Sequence, residues 1–581
     1  MHIRRHILKF RRIISLFLSV VLIQTLLPGC SAGKQPAGSK YSKFLTVDVF
    51  DVPANVPGIQ SGWFAHIVKE RFNMELNIIN ANSETVYESR FASGNLGDLI
   101  ITSSANGRLQ DMVDAGLVLD MTPYMDEDSQ LVRRYSSQIG SLNNTLLQTG
   151  IYAIPSQLSS SDDPVLTEST QPIFGAYIRW DYYNELGCPA INTLEDLLPV
   201  LLQMQELHPT SESGEPTYGF SLFSSWDDNM MNAIKQPCCI YGYDEHGFVL
   251  AKADGSDFQN ILDKDSLYYR SLRFYNTAYR MGLVDPVSRF QDYNNVAAKF
   301  SDGQILFSPW PWLAQPAFNT TEHTSEGKGY MFVPIGDELV YSSGNSIYGN
   351  FSTVIAVGAD AKDPERMVDF ITWLYSDEGI LCCKANSQLG TAGPEGLTWE
   401  MTDDGPVLTD FGRRALYGEP LNVPDSYGGG LWNDGISALN FTPVATSEKS
   451  DRGFPYFFAQ WDSVIYSTQS DFEKSWTDKY DALNPIDYLK KHDRLIISIG
   501  TDYSAPKESA ELKTIRSQCA KVIVDYSWDM VFAEDDETFD ALYEELIAKT
   551  NALDYAQILE YDMTSAKNEA ELKKEVLNKN D

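Results

Sequence analysis

The histidine residues and short motifs of this sequence show none of the spacings that metal or nucleophile chemistry commonly requires. The seven histidines are scattered, at positions 2, 6, 66, 208, 246, 323 and 492, whereas zinc ligands recur at short fixed spacings. The sequence also lacks Gly-x-Ser-x-Gly and Gly-x-x-x-x-Gly-Lys, the motifs that expose a nucleophilic serine or cradle phosphate groups. These observations argue against a zinc enzyme, a common type of serine hydrolase and a nucleotide-binding protein.

Three acidic clusters contain carboxylates of the kind that bind calcium, but the spacing of these carboxylates does not fit a calcium site. They are Asp126-Glu127-Asp128, Asp227-Asp228 and Glu534-Asp535-Asp536-Glu537. The clusters lack the alternating ligands and the central Gly of a known calcium loop. We therefore expect solvated turns or helix N-termini at these positions. The sequence predicts no metal ion and no cofactor.

The first thirty residues have the pattern of a targeting segment. Basic residues at positions 4, 5, 9, 11 and 12 precede an apolar stretch over residues 13–27, which is shorter than the roughly 20 residues of a membrane span. The stretch ends in Leu27-Pro28-Gly29-Cys30, which resembles the lipobox of bacterial lipoproteins except for its proline. We expect a signal peptide over residues 1–30, lipidation of Cys30 and a flexible tether over residues 31–43.

A lipidated Cys30 would hold the mature protein on the extracellular face of the cell membrane, as in a Gram-positive bacterium. An ordinary secretory signal that happens to contain a cysteine is the alternative. Six further cysteines follow, none in a Cys-x-x-Cys spacing: Cys188, Cys238, Cys239, Cys382, Cys383 and Cys519. We expect small buried side chains, since adjacent cysteines rarely bridge each other. A bridge such as Cys238 to Cys382 remains open.

The charge and length of the chain limit its partners and its organisation. The net charge is −35 and becomes about −40 once the basic N-terminal segment is removed. Nucleic acids and anionic lipid headgroups would be repelled, so neither is expected as a partner. About 550 mature residues exceed what one core organises, so two or more domains are expected.

The start of the mature chain alternates strand and helix signals, as in an α/β domain. Strands are predicted over residues 44–50, 74–79 and 97–101, and a helix over residues 62–72. Ligands meet the carboxyl ends of the strands in an open α/β sheet. Asp51 and Ser104 follow two of these strands, so both are candidates for a binding site.

Several blocks of the sequence resemble family 1 extracellular solute-binding proteins, which are related to maltose-binding protein. In chain order they are Asp98-Leu99-Ile100, residues 115–124, residues 149–155, residues 179–197 and residues 300–312. The second, third and last blocks resemble the family patterns G-x-L-x-D-L-T-x-Y, G-x-x-Y-A-I-P and G-P-W-x-W, respectively. The blocks occur in the family's order over residues 98–390, and beyond residue 390 the resemblance becomes compositional.

The resemblance implies a two-lobed α/β fold, the type II periplasmic-binding-protein-like fold, with a solute held between the lobes. Crossover segments are expected near residues 155–159, 350–353 and 388–391. Lobe one would comprise residues 44–157 and 352–390, and lobe two residues 158–351 and 391–581. Amphipathic patterns with charged outer faces predict extra C-terminal helices over residues 506–519, 536–549 and 564–578.

Aromatic residues are the main candidates for a site between the lobes. Sugars present apolar C–H faces and hydroxyl groups, which suit flat rings combined with carboxylates, amides and Arg. Trp310 matches the first Trp of the family motif and is the first choice for stacking, with core packing as the alternative. Trp226 and Trp432 are balanced between site and core, whereas Trp63 and Trp373 are expected in the core. The polar candidates are Asp51, Asn82, Ser104, Arg179 and Asn350.

The resemblance implies a monomeric protein that is not an enzyme and has no catalytic residues. It would be the capture subunit of an ABC importer, which binds a small carbohydrate solute, an oligosaccharide by preference, and delivers it to permease subunits in the membrane. A secreted lipid-anchored glycosidase is the alternative, because a pair of carboxylates is not excluded by sequence. A carbohydrate-binding surface protein is a third hypothesis, and it lacks the internal repeats that would support it.

Overall fold

A computed structural model describes residues 39–80, 84–165, 169–385, 390–465, 467 and 470–578 of the 581-residue chain. The predicted signal peptide, Cys30, most of the predicted tether, Asn82 and part of the third predicted crossover lie outside the described residues. None of the helices in the described ranges combines the length and the apolar character that crossing a membrane requires.

The strands and helices alternate through most of the described chain. The strands are β1 (Leu45–Asp51), β2 (Gly58–Ile59), β3 (Met74–Asn80), β4 (Leu99–Thr102), β5 (Ile154–Ser156), β6 (Tyr177–Arg179), β7 (Tyr243–His246), β8 (Val249–Lys252), β9 (Phe258–Asn260), β10 (Phe307–Ser308), β11 (Tyr330–Phe332), β12 (Val340–Ser343), β13 (Asn350–Val357), β14 (Trp399–Thr402), β15 (Gly405–Leu408) and β16 (Leu495–Ser498).

The α-helices of the described residues are α1 (Gly62–Phe72), α2 (Glu84–Ser93), α3 (Arg108–Asp114), α4 (Gln130–Asn143), α5 (Trp180–Glu185), α6 (Leu197–Leu207), α7 (Asn232–Ile240), α8 (Leu267–Arg280), α9 (Tyr293–Ser301), α10 (Pro311–Phe318), α11 (Thr321–Ser325), α12 (Pro364–Leu374), α13 (Asp377–Cys383), α14 (Asp410–Ala415), α15 (Asp462–Ile465), α16 (Asp471–Tyr480), α17 (Pro485–Lys491), α18 (Ala510–Val531), α19 (Asp536–Asn551) and α20 (Tyr555–Asn578).

Lobe one is built around a six-stranded sheet with the strand order β2-β3-β1-β4-β13-β5. β1 pairs in parallel with β3 and β4, whereas β13 is antiparallel to β4 and β5. Side chains alternate between the two faces of a strand. Val47 and Val49 of β1 therefore pack in one hydrophobic core, and Phe50 packs in a second core on the opposite face.

The first helix shows how local sequence fixes part of this lobe. α1 buries Trp63, Phe64 and Val68 on its inner face. It ends at Asn73, whose left-handed φ of 47° lets its N–H donate to the carbonyl oxygen of Lys69. The chain then reverses directly into β3, so α1 covers the sheet.

Residues 392–461 pack in lobe one, although the sequence-based boundaries put them in lobe two. Trp399, Trp432 and Trp461 lie in the same hydrophobic core as Trp63. The Trp432 ring stacks on the Trp63 ring, with centroids 4.6 Å apart and planes 6° from parallel. The Trp63 indole N–H also donates to the carbonyl oxygen of Trp432, 369 residues later in the chain. Contacts at such separation leave no local periodic signal.

Lobe two has a three-stranded sheet of order β10-β6-β11 and a second one of order β7-β8-β9. Its main core also takes side chains from α6, α7, α8 and the C-terminal helices. α18 packs against α8 and α19, and α20 packs against β8. All three predicted C-terminal helices are therefore present, and α18 and α20 are longer than the predicted ranges.

By the hydrophobic cores of the described residues, the chain leaves one lobe and enters the other in three places: between Leu158 and Phe174, between Tyr341 and Tyr348, and between Val464 and Phe472. The first two segments are close to the predicted crossovers at 155–159 and 350–353. The third differs from the predicted 388–391, because residues 392–461 stay with lobe one. We propose residues 44–158 and 348–464 as lobe one, and residues 174–341 and 472–578 as lobe two.

The six cysteines that follow Cys30 have free thiols, and all except Cys188 are buried. Cys238 belongs to the lobe-two core and Cys382 to the lobe-one core. The bridge that the sequence left open is therefore not formed.

Candidate functional site

A cavity of about 1120 Å³ lies between the two lobes. Lobe one contributes the loop over residues 52–55, Gln157 and several side chains between residues 384 and 457, and lobe two contributes Trp226, Tyr293 and Trp312. Parts of two crossover segments, residues 169–173 and 342–344, also line it. A solute in this cleft would contact both lobes and the segments that join them.

Three aromatic side chains of lobe two, Trp226, Tyr293 and Trp312, form one wall of the cleft. The ring centroids of Trp226 and Tyr293 are 5.1 Å apart with planes 19° from parallel. The Trp312 ring lies 5.8 Å from the Trp226 ring and 6.4 Å from the Tyr293 ring. All three side chains are half-buried. This aromatic wall offers flat apolar faces to a bound solute.

The aromatic wall is positioned by the N-termini of two helices and by a loop that hydrogen bonds hold in place. Tyr293 begins α9, where Asp292 and Asn295 form a reciprocal capping box. Trp312 lies in the first turn of α10, which begins with Pro311 at the position where its missing N–H costs no hydrogen bond. Both rings are therefore held on rigid elements.

The Trp226 loop is held by its neighbour Asp227. The Asp227 carboxylate accepts hydrogen bonds from the Trp528 indole N–H at 2.7 Å and from the Asn232 backbone N–H at 2.9 Å. Burial raises the pKa of Asp227 to about 6. The Asp227 carboxylate connects the loop that carries Trp226 to α18. The C-terminal helices therefore help to position Trp226.

Trp310, the first choice from sequence, does not line the cleft. Its side chain is 6% exposed and packs with Phe223, Leu313 and Phe318. Its ring lies behind the aromatic wall, 5.1 Å from the Trp312 ring. Both tryptophans belong to the motif noted in the sequence, and the sequence alone did not show which one lines the cleft. Trp312 is the residue that the prediction missed.

The lobe-one wall of the cleft carries amide and hydroxyl side chains. Its polar members are Asn55, Gln157, Asn433, Asn440, Thr442 and Thr446, together with Lys384. The Lys384 ammonium donates to Asn440 Oδ1 at 3.0 Å, and Asn440 Nδ2 donates to the carbonyl oxygen of Pro53 at 2.9 Å. Burial lowers the pKa of Lys384 from its ordinary value. Amides of this kind can both donate to and accept from hydroxyl groups.

The crossover segments add a smaller polar set. Ser169, Gln171, Ser342 and Ser343 line the cleft. The Gln171 side-chain oxygen is buried without a hydrogen-bond partner among the described residues. Buried polar atoms are rarely left unpaired, so a donor from a solute or water would satisfy this oxygen.

Asp51 lies behind the cleft and not in its lining. It ends β1 with a fully buried side chain, whose Oδ1 accepts a hydrogen bond from the Ala54 N–H at 3.1 Å. Burial raises the pKa of Asp51 well above its ordinary value. The carboxyl therefore shapes the loop over residues 52–55, which does line the cleft.

Ser104 and Asn350 are also absent from the cleft lining. The Ser104 hydroxyl donates to the carbonyl oxygen of Phe351 at 2.5 Å. Asn350 pairs with Ser156 next to an irregularity between β13 and β5, and its side-chain oxygen accepts from the Ser352 N–H at 2.8 Å. Both side chains stabilise the strand ends of lobe one.

Arg179 and Trp432 serve packing instead of the cleft. The Arg179 side chain is 2% exposed, donates to both oxygens of Asp181 and lies over the rings of Tyr182 and Phe318. Trp432 is 1% exposed in the lobe-one core. Its neighbour Asn433 lines the cleft in its place. Trp226 is the sequence candidate that the structure does place in the lining, and Asn82 lies outside the described residues.

The cleft has few of the groups that catalysis or metal binding would need. Among the described residues, no group of three or more His, Cys, Asp and Glu side chains could hold a metal ion. No Asp or Glu is found among the described residues that line the cleft, and Lys384 is their one charged side chain. The described lining therefore combines flat aromatic faces with neutral polar groups and one ammonium group.

The fold is similar to the folds of several solved binding proteins. One is the alginate-binding protein AlgQ2 without calcium ion, with a TM-score of 0.57 and 14% identity, covering 91% of this chain and 99% of that one. Another is the Streptococcus pneumoniae ABC-transporter substrate-binding protein FusA in complex with kestose, with a TM-score of 0.56 and 14% identity, covering 90% and 99%.

A third is the human-milk-oligosaccharide-binding (HMO) solute-binding protein associated with an ABC transporter from Bifidobacterium longum infantis, with a TM-score of 0.52 and 13% identity, covering 90% of this chain and 98% of that one. No family model matches the sequence, and no curated protein matches it. The architecture is that of the two-lobed solute-binding proteins. This confirms the predicted fold class.

Proposed function

We propose that this protein is the extracytoplasmic solute-binding subunit of an ABC importer and that it captures an oligosaccharide between its lobes. The proposal rests on one observation. The aromatic wall of Trp226, Tyr293 and Trp312 lies in the same cleft as the amide and hydroxyl side chains of the lobe-one wall. Sugar rings stack on aromatic faces, and sugar hydroxyl groups both donate hydrogen bonds to amides and accept hydrogen bonds from them.

The size of the cleft favours an oligosaccharide over a single sugar. Its volume of about 1120 Å³ exceeds the roughly 300–1,000 Å³ of typical small-molecule sites. The compared proteins are named for binding alginate and human milk oligosaccharides, or are described in complex with kestose. These names support the proposal without identifying the solute of this chain.

The alternative of a glycosidase receives less support from the cleft. A glycosidase of the usual kind needs two carboxyl groups across the scissile bond, roughly 5–10 Å apart. The described lining has no carboxylate. A binding role requires only the rings and amides that are present.

Binding without turnover tests this function. The purified mature protein is screened by thermal shift and calorimetry against gluco-, manno-, xylo-, arabino- and fructo-oligosaccharides, with amino acids and peptides as controls. We expect saturable binding of one oligosaccharide class, with an apparent stabilisation of about 2.7 kcal/mol at a hundredfold excess over Kd. Product formation during incubation, or binding of peptides alone, would refute the proposal.

Anchoring and delivery belong to the same proposal. We infer that Cys30 is lipidated and holds the protein on the outer face of the cell membrane, beside permease subunits that receive the solute. A lipidated cysteine with two or three acyl chains provides stable attachment, whereas one chain is marginal. We expect wild-type protein in the membrane fraction and a Cys30→Ala variant outside it after signal removal. An anchored Cys30→Ala variant would contradict this part.

A further inference from the structure

Lys384 is the one charged side chain among the described residues that line the cleft. Lys384 directly follows α13 and is half-buried. Its ammonium group has a single described hydrogen bond, to Asn440 Oδ1 at 3.0 Å. No carboxylate of a described residue forms an ion pair with its ammonium group. A lysine ammonium has three N–H donors, so donors remain for a solute.

The absence of an acidic partner is informative because this chain has 80 acidic and 45 basic residues. Two other half-buried lysines among the described residues pair with carboxylates. Lys235 lies 3.1 Å from Glu245, and Lys573 lies 3.5 Å from Glu569. Removing a charge from water without a partner costs free energy. The ammonium group of Lys384 has no carboxylate partner among the described residues, and this is explained if the solute supplies an anionic partner.

The local geometry also fixes where this positive charge is presented. Asn440 donates through Nδ2 to the Pro53 carbonyl oxygen at 2.9 Å, so its Oδ1 is directed at Lys384. The other lobe-one groups at this wall, including Thr442 and Asn433, are neutral. An anion beside Lys384 would therefore meet donors and no repelling carboxylate within the described lining.

We propose that the solute carries a negatively charged group, a carboxylate or a sulfate, that pairs with Lys384 while a sugar ring stacks on the aromatic wall. This inference rests on the proposed function and narrows it to anionic oligosaccharides. The net charge of −35 does not oppose it strongly. Exposed charges are screened beyond about 8 Å at physiological salt, whereas a pair in a desolvated cleft is screened much less.

Matched pairs of solutes test this inference. Calorimetry measures Kd for oligogalacturonate and oligoalginate against their carboxyl-reduced forms, and for sulfated disaccharides against their desulfated forms. The proteins are the wild type, Lys384→Met, and a control Lys479→Met, which removes an equal charge from an exposed site in α16.

We expect at least one charged form to bind about tenfold or more tightly than its neutral counterpart in the wild type. Lys384→Met should remove this preference, whereas Lys479→Met should retain it. The carboxylate and sulfate series identify the source of the charge. Equal binding of charged and neutral forms, preference for neutral forms, or a preference that survives Lys384→Met would overturn the inference and leave the proposed function intact. If none of these saccharides binds but a neutral oligosaccharide of the wider screen does, this inference alone is overturned; if no saccharide of either experiment binds, both are overturned.

Discussion

Trp312 and Trp310 occupy adjacent positions in the aromatic cluster but have different surroundings. Trp312 is half-buried and lines the cleft, whereas Trp310 is 6% exposed among Phe223, Leu313 and Phe318. Removal of a ring that faces a cleft leaves no internal cavity. Removal of a buried ring leaves one, which costs free energy of unfolding.

We therefore expect opposite effects from truncating the two rings. Trp312→Ala should weaken oligosaccharide binding by about one to two orders of magnitude, corresponding to roughly 1–3 kcal/mol, with little change in Tm. Trp310→Ala should lower the free energy of unfolding by about 3–5 kcal/mol. Calorimetry and thermal unfolding of both variants measure the difference. If Trp310→Ala binds weakly at an unchanged Tm, the assignment of the two rings is reversed.

Glu338 gives lobe two a dependence on pH. Its side chain is 3% exposed, just before β12, and burial raises its pKa to about 8. In the unfolded chain the carboxyl ionises near its ordinary value of roughly 4.3. Between these two pKa values the folded state holds a proton that the unfolded state has lost. Stability should therefore fall as pH rises through this window, by up to about 1.4 kcal/mol per pH unit.

A Glu338→Gln variant should lose this dependence because its side chain does not titrate. We expect its Tm to be close to that of the wild type near pH 4.5 and above it at pH 7.5. Thermal unfolding of both proteins across this range measures the difference. Parallel Tm curves for the two proteins would show that Glu338 ionises in the folded state as it does in water.

At the scale of the elements, one buried ionic group connects α18, α20 and the β7–β8 turn. Arg516 on α18 donates to Asp562 on α20 at 2.5 and 3.1 Å, and Asp562 also accepts the Phe248 N–H at 2.7 Å. The Asp562 side chain is 3% exposed. Gly247 lies so close to this carboxylate that a Cβ would be 2.1 Å from it. The C-terminal helices are therefore an integral part of lobe two.

Asp562→Ala should destabilise the protein by about 1–3 kcal/mol, because it leaves the Phe248 N–H without its acceptor and removes one of the two carboxylates that pair with Arg516, the other being Glu508. The control is Asp525→Ala on α18, which removes an exposed ion pair with Lys521 and should cost less than about 1 kcal/mol. Urea unfolding of the two variants makes the comparison. Equal effects would mean that the buried group contributes no more than a surface pair.

At the scale of the whole molecule, the cleft predicts a change of shape on binding. Its lining comes from both lobes and from segments that join them, so a solute completes its contacts only when the lobes close around it. The closed state is favoured by the difference in affinity between the two states. Small-angle scattering should show a smaller radius of gyration with a saturating oligosaccharide.

The matched control for closure is Trp312→Ala, measured at the same solute concentration. Weaker binding should leave this variant in the open state, and a higher concentration should restore compaction. A radius of gyration that does not change while calorimetry shows saturation of the wild type would exclude closure by the lobes.

The sequence by itself predicted those features that depend on neighbours along the chain. The strand that ends at Asp51, the helix that carries Trp63 and the three C-terminal helices follow local periods of 2.0 and 3.6 residues. The ordered family blocks gave the two-lobed architecture. The fold class could be predicted because repeated apolar patterns specify the elements, and the ordered blocks specify how these elements connect.

Only the tertiary structure decided which side chains face the cleft and which lobe holds residues 392–461. Trp226, Trp310, Trp312 and Trp432 have similar local sequence signals, yet two line the cleft and two are buried. The choice depends on contacts such as the stack of Trp432 on Trp63, which lies 369 residues earlier. Burial follows from packing between distant segments, and that information is not present in the period or composition of either segment.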